Sequence, residues 1–182
     1  MDQNLWIKAA LDAGATKAAV ISSDTVVTSR SFRDICASNA CGGYGRCWMC
    51  PPDVGDIDVL MASIRNYSHG LLFQTIAEIE DSFDFEGMAE AGKTHAEVCK
   101  KVRKAAKAIS DKILFLGAGG CRMCERCAKL DNLPCRMPEE AMASMESYGI
   151  DVYKTTEPTG LKYINGQNTV TYFGLVLFNE EE

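Results

Sequence analysis

Hydrophobic and polar positions along this chain switch repeatedly between a helical and a strand-like rhythm. Near the start, "QNLWIKAALDA" (residues 3–13) places Leu5, Ala9 and Ala10 on one helical face, and Gly14 follows as a stop. "TKAAVIS" (16–22) reads as a strand, and a cysteine-rich loop then runs from Cys36 to Gly55. "DIDVLMASIRNY" (56–67) opens with Asp56 as an N-cap and spaces Val59, Leu60, Ile64 and Tyr67 as a helix. "HGLLFQTIAEI" (69–79) has the apolar run of a buried strand, and "EDSFDFEGMAEAG" (80–92) reads as an acidic loop.

The most periodic segment is "THAEVCKKVRKAAKAISDKILFLG" (94–117), where Val98, Val102, Ala105, Ile109 and Ile113 recur at intervals of four, three, four and four. That stripe predicts an amphipathic helix with its basic residues facing water. "GAGG" (117–120) ends it and opens a second cysteine loop. "PEEAMASMESYG" (138–149) predicts a helix with Pro138 in its first turn and Gly149 at its end. "IDVYKTT" (150–156) and "TVTYFGLVLF" (169–178) are β-rich, and "TGLKYINGQN" (159–168) between them predicts a hairpin-like return. The expected fold is α+β: a mixed, partly antiparallel sheet flanked by helices and carrying two cysteine-rich metal-binding loops.

Length and composition narrow the picture. A chain of 182 residues with 47% hydrophobic content buries one ordinary core. The expectation is a single domain, 1–182, divisible at most into an N-terminal lobe, 1–92, and a ferredoxin-like C-terminal lobe, 93–182. No stretch approaches the roughly 18 continuous apolar residues of a membrane span. The start, "MDQNLWIKAALDAG", has neither the basic region nor the long apolar run of a secretory signal, so a cytoplasmic protein is expected. With a net charge of −6 and one basic run, "KKVRKAAK", nucleic acid is not an expected partner.

Nine cysteines change the reading most. In a reducing compartment they are not a disulfide framework, and clustered reduced thiols bind metal. Eight fall into two groups: Cys36, Cys41, Cys47 and Cys50, then Cys121, Cys124, Cys127 and Cys135. Cys121, Cys124 and Cys127 reproduce the C-x2-C-x2-C triplet by which ferredoxin loops wrap a 4Fe-4S cubane, with Cys135 as the distant fourth thiol. Structural zinc also takes four thiolates, but zinc ribbons supply two separated C-x2-C knuckles rather than a triplet. Unliganded core cysteines fit poorly, because "RMCERCAK" interleaves them with charge.

In the first group, Gly42, Gly43 and Gly45 allow backbone amides to approach a cluster's sulfides, and Pro51 and Pro52 stiffen the exit. Tyr44 and Trp48 either shield the site or simply pack. By spacing alone Cys47 and Cys50 suit zinc, a cluster or a redox dithiol, and the dithiol leaves Cys36 and Cys41 unexplained.

Three segments, "CASNACGGYGRCWMCPPDVG", "GAGGCRMCERCAKLDNLPCRMPEEAMASMESYGIDV" and "TVTYFGLVLF", resemble those of the cysteine-rich proteins described as predicted metal-binding proteins, domain-of-unknown-function family 2284. The resemblance covers most of the chain. It implies metal ligands at Cys36, Cys41 and Cys50 in the first loop and at Cys121, Cys124, Cys127 and Cys135 in the second. Cys47 departs from the pattern and stands as an additional ligand only if the first site takes a fourth thiolate. With three, one iron is open to a small molecule, a partner or a cysteine from the other loop.

The remaining features have plainer readings. Cys99 is expected in the core, His69 and His95 at the surface or as caps, and Met137, Met142 and Met145 as core filler. "GAGG" lacks the Lys-Ser/Thr of a phosphate loop and is expected to follow a helix rather than a strand. The basic face of Lys100, Lys101, Arg103, Lys104 and Lys107 is either solvated or a dock for an acidic redox partner. The leading expectation is a protein with one or two 4Fe-4S clusters passing electrons to a redox protein or enzyme. A redox enzyme using an open cluster position and a zinc-stabilised interaction module are the alternatives.

Overall fold

A computed structural model describes residues 2–180. Helix α1 (Gln3–Asp12) is capped by Asp2, whose carboxylate accepts from the Asn4 N–H, and leads into strand β1 (Lys17–Ser22). Helix α2 (Ser31–Ala37) precedes the first cysteine loop, and α3 (Ile57–Ile64) follows it. Strand β2 (His69–Glu78), the long helix α4 (Phe85–Ile109) and strand β3 (Ile113–Gly117) come next. The second cysteine loop separates β3 from the short strand β4 (Ala143–Ser144). Helix α5 (Val152–Thr156) and strand β5 (Thr169–Phe178) complete the chain.

The sheet order is β1-β2-β5-β3-β4, antiparallel except for the parallel pair β3/β4. The α+β expectation, with its mixed sheet and flanking helices, is what the fold contains. Successive residues of the central strands bury to opposite faces, as the pleat requires. Leu71, Phe73, Phe115, Val176 and Phe178 join Trp6, Val98 and Val102 beneath α1 and α4. Leu72, Leu116, Leu175 and Leu177 join Ile64, Met145 and Ile150 on the other face. Gly174 lies opposite Phe73, and a Cβ there would collide with that ring.

Several expectations fail, each for a local reason. The acidic loop expected over 80–92 holds the first turns of α4, because Asp84 acts as an N-cap and accepts from the Gly87 N–H at 2.7 Å. The same helix does not reach Ile113. It stops at Ser110, which is extended, and Ile113–Gly117 pairs with β5 as a strand. "GAGG" therefore does follow a strand. The helix expected over 138–149 is replaced by β4 and a short 3-10 turn, because the chain must extend there to pair with β3; Leu116 faces Ala143, and the Met145 N–H donates to the Gly117 carbonyl. "IDVYKTT" is helical, not a strand, since Asp151 caps it through the Lys154 N–H at 3.0 Å. No hairpin joins it to β5, which pairs instead with β2 and β3.

His95 is also misplaced by sequence reasoning. It is only 2% exposed, in mid-helix. Its Nε2–H donates to the Phe173 carbonyl at 3.1 Å, and its Nδ1 accepts from the Thr75 hydroxyl at 2.8 Å, which defines the tautomer. Burial, aided by the nearby Arg122 cation, lowers its pKa to about 4. Cys99, beside it, is a core residue as expected.

Candidate metal centres

The first loop, 38–56, is folded by its own turns. Asn39 takes a left-handed conformation (φ 57°), and its side-chain oxygen accepts from the Tyr44 N–H at 3.0 Å. The Gly45 N–H donates to the Pro51 carbonyl at 2.8 Å, and the Cys50 N–H to the Cys47 carbonyl at 3.0 Å. Gly43 sits between two thiols: a Cβ there would lie 3.3 Å from Cys50 Sγ and 3.6 Å from Cys41 Sγ. The absence of that Cβ is what lets backbone and sulfur approach.

Cys36 arrives from α2, an element that the cysteine-loop reading missed. That helix packs against the 3-10 turn Glu146–Tyr148, and Arg33 Nη2 ties it down by donating to the Gly55 and Ser147 carbonyls at 3.1 and 3.3 Å. Burial, reinforced by the neighbouring Cys41, pushes the Cys36 thiol up, while Arg33 opposes it. Burial also raises the Glu146 carboxyl, whose charge acts on Cys36. Cys36, Cys41 and Cys50 thus form one neighbourhood.

The second loop hangs between two hydrogen-bonded strands, β3 and β4, so both of its stems are fixed by the sheet. Its cysteines close around a cavity of about 20 Å³ lined by Cys47, Cys121, Cys124, Cys127 and Cys135, with Trp48, Met49 and Met123 among the walls. Cys47 therefore lines the cavity of the other group while its thiol stays beside Cys50. It is 7% exposed, and the thiol of Cys50 beside it, with the N–H groups of Met49 and Cys121, lowers its pKa to about 5. The same contact, together with burial, raises Cys50. Burial raises Cys121, against the N–H groups of Met142 and Met123.

Three side chains lock the loops together, and none was singled out by the sequence as doing so. Trp48 Nε1 donates to the Leu133 carbonyl at 2.9 Å. The Lys129 ammonium lies 4.2 Å from the centre of the Trp48 ring and pairs with Asp53. An aromatic and an acid beside "CWMCPPD" were the available signals, but their partners lie some 80 residues away and cannot be read from spacing.

All nine cysteines are free thiols. Among the described residues, no three His, Cys, Asp or Glu side chains gather as the ligands of a single metal ion. The basic residues of α4 border the second centre. Arg103 and Lys107 line a cleft that shares Met49 and Ala141 with the cysteine cavity. Lys100, Arg103, Lys104 and Lys107 line another that shares Met123, while Lys101 points toward α1. No helix among the described residues is long and apolar enough to cross a membrane.

No curated protein and no solved structure matches the chain. A family model does, over residues 19–178, a span that takes in both cysteine loops and all of the sheet but the first two residues of β1. The chain belongs to that family, the predicted metal-binding proteins of DUF2284.

Proposed function

We propose that the protein carries two 4Fe-4S clusters, one in each cysteine loop, and passes electrons between them and an acidic redox partner. The observation that carries this reading is the ring of thiols around one cavity beneath Trp48, Met49 and Met123. A cubane presents four iron corners, so its thiolates stand around it rather than converging on one point. The donor set fits: the soft sulfurs of Cys47, Cys121, Cys124, Cys127 and Cys135 in one lining. The cavity is narrower than a cubane, but the Cys121–Cys127 stretch has no helix or strand pairing to break as it widens. When bound, the clusters supply one-electron chemistry; the chain supplies thiolates and amide dipoles and excludes water.

The basic face of α4 gives the partner a landing surface beside the second centre. Association driven by Lys100, Arg103, Lys104 and Lys107 slows as salt rises, while Lys101, turned toward α1, adds only to the overall charge of the helix. A single domain working in the cytoplasm accords with nine reduced thiols.

Protein purified without oxygen tests the reading. Broad absorption near about 400 nm with matching iron and acid-labile sulfide is expected from thiolate-to-iron charge transfer. Colourless protein holding stoichiometric zinc would replace it with the structural-module reading.

A further inference from the structure

Cys47 belongs to the first loop by sequence and to the second centre by position. It lines the cavity with Cys121, Cys124, Cys127 and Cys135, while its thiol also stays beside that of Cys50. The placement is anchored. Trp48, the next residue, is hydrogen-bonded to Leu133, which lies two residues before Cys135. The Lys129 contact with Trp48 and Asp53 closes the same seam. One lock therefore seats both Cys47 and Cys135 against the triplet.

Five thiols then surround a centre that takes four. We propose that Cys47 is a reserve ligand of the second centre, exchanging with Cys135 at one iron, while Cys36, Cys41 and Cys50 alone hold the first. The inference rests on the iron–sulfur reading. In the exchange, the Cys135 thiolate would leave the iron as the Cys47 thiolate binds, one iron–sulfur bond replacing the other with no electron changing hands. The fourth iron of the first centre takes a non-thiolate ligand. Because Cys50 lies three residues beyond Cys47, a change of ligand at one centre displaces a ligand of the other.

Four anaerobically purified proteins test this: the unaltered chain, Cys47→Ser, Cys135→Ser and the double variant. Iron, sulfide and the electron paramagnetic resonance of the reduced protein are measured for each. Both single variants should keep the full iron content, with one centre's signal altered in Cys135→Ser. The double variant should lose about half the iron and keep the first centre's signal. Loss of half the iron in Cys47→Ser alone would make Cys47 a fixed ligand and overturn the exchange, as would the same loss in Cys135→Ser alone. Alkylation of the unaltered holoprotein, read by mass spectrometry, needs no variant to fold. Label should divide between Cys47 and Cys135 and mark only one of them in any molecule; label confined to either residue overturns the proposal. An unaltered protein without iron or sulfide fails at the first measurement, which identifies the iron–sulfur reading itself as the error.

Discussion

The two cysteine loops solve the same problem by different means. The first is self-supporting: Asn39, Gly42, Gly45 and the Pro51-Pro52 pair set its turns, and its Cys41 stands exposed. The second has short turns of its own, the 3-10 turn Ala128–Asp131 and the Arg126–Asp131 ion pair, but takes its placement from the sheet, since its ends are the hydrogen-bonded strands β3 and β4. A loop built from its own turns can present an open edge to a ligand. A loop slung from a sheet is better placed to enclose a centre and keep water from it. The seam of Trp48, Leu133, Lys129 and Asp53 then makes the two loops neighbours that cannot move independently.

Thiol removal should break this comparison most strongly. Cys124→Ser should eliminate the second centre, with about half the iron, and loosen the loop, because a charged, glycine-bearing segment has no core of its own. Cys50→Ser should instead eliminate the first centre and leave the loop's turns in place. Iron assays with hydrogen exchange over 118–142 and 38–56 distinguish the two. Unchanged iron and melting in Cys124→Ser would remove it from the ligand set.

How much of this was legible follows from which forces are local. The strands β1, β2 and β5 were readable from their apolar or β-rich runs, and the Val98–Val102–Ile109 stripe because burial stamps the helical period on the sequence. The expectations at 138–149 and 150–156 failed because long-range pairing decided the first and a single cap the second: β4 exists to meet β3, and Asp151 turns a Val/Thr-rich run into helix. The cysteine groups were legible as groups. The position of Cys47 was not, since it depends on Trp48 meeting Leu133 across 85 residues.

Acid should act next most strongly, through the scaffold under the second loop. His95 joins α4 to β2 and β5 and holds a pKa of about 4, below its unfolded value of about 6.5. The unfolded chain therefore binds the proton more readily. The stability His95 contributes is complete above about pH 6.5 and is lost as pH falls toward 4, by about 2–3 kcal/mol at the acid end. Denaturant unfolding at neutral pH and near pH 4.5 measures the slope, and in His95→Gln that part of it should vanish, since Gln can keep both hydrogen bonds without titrating. An identical slope in the variant would assign the acid sensitivity to other groups.

The smallest expected effect tests the seam itself. Trp48→Phe keeps an aromatic face for Lys129 but removes the N–H that reaches the Leu133 carbonyl. Loss of one such hydrogen bond should cost about 1 kcal/mol, a shift of about 2–4 °C in melting temperature for a chain of this size. If the loops are one unit, the cost will be accompanied by faster alkylation of Cys47, which is 7% exposed in the locked arrangement. Reaction at Cys41, already exposed at the outer edge of the first loop, will not change. Faster alkylation at both residues would instead mean that the first loop depends on the seam for its own folding, and the contrast between a self-supporting loop and a borrowed one would fall.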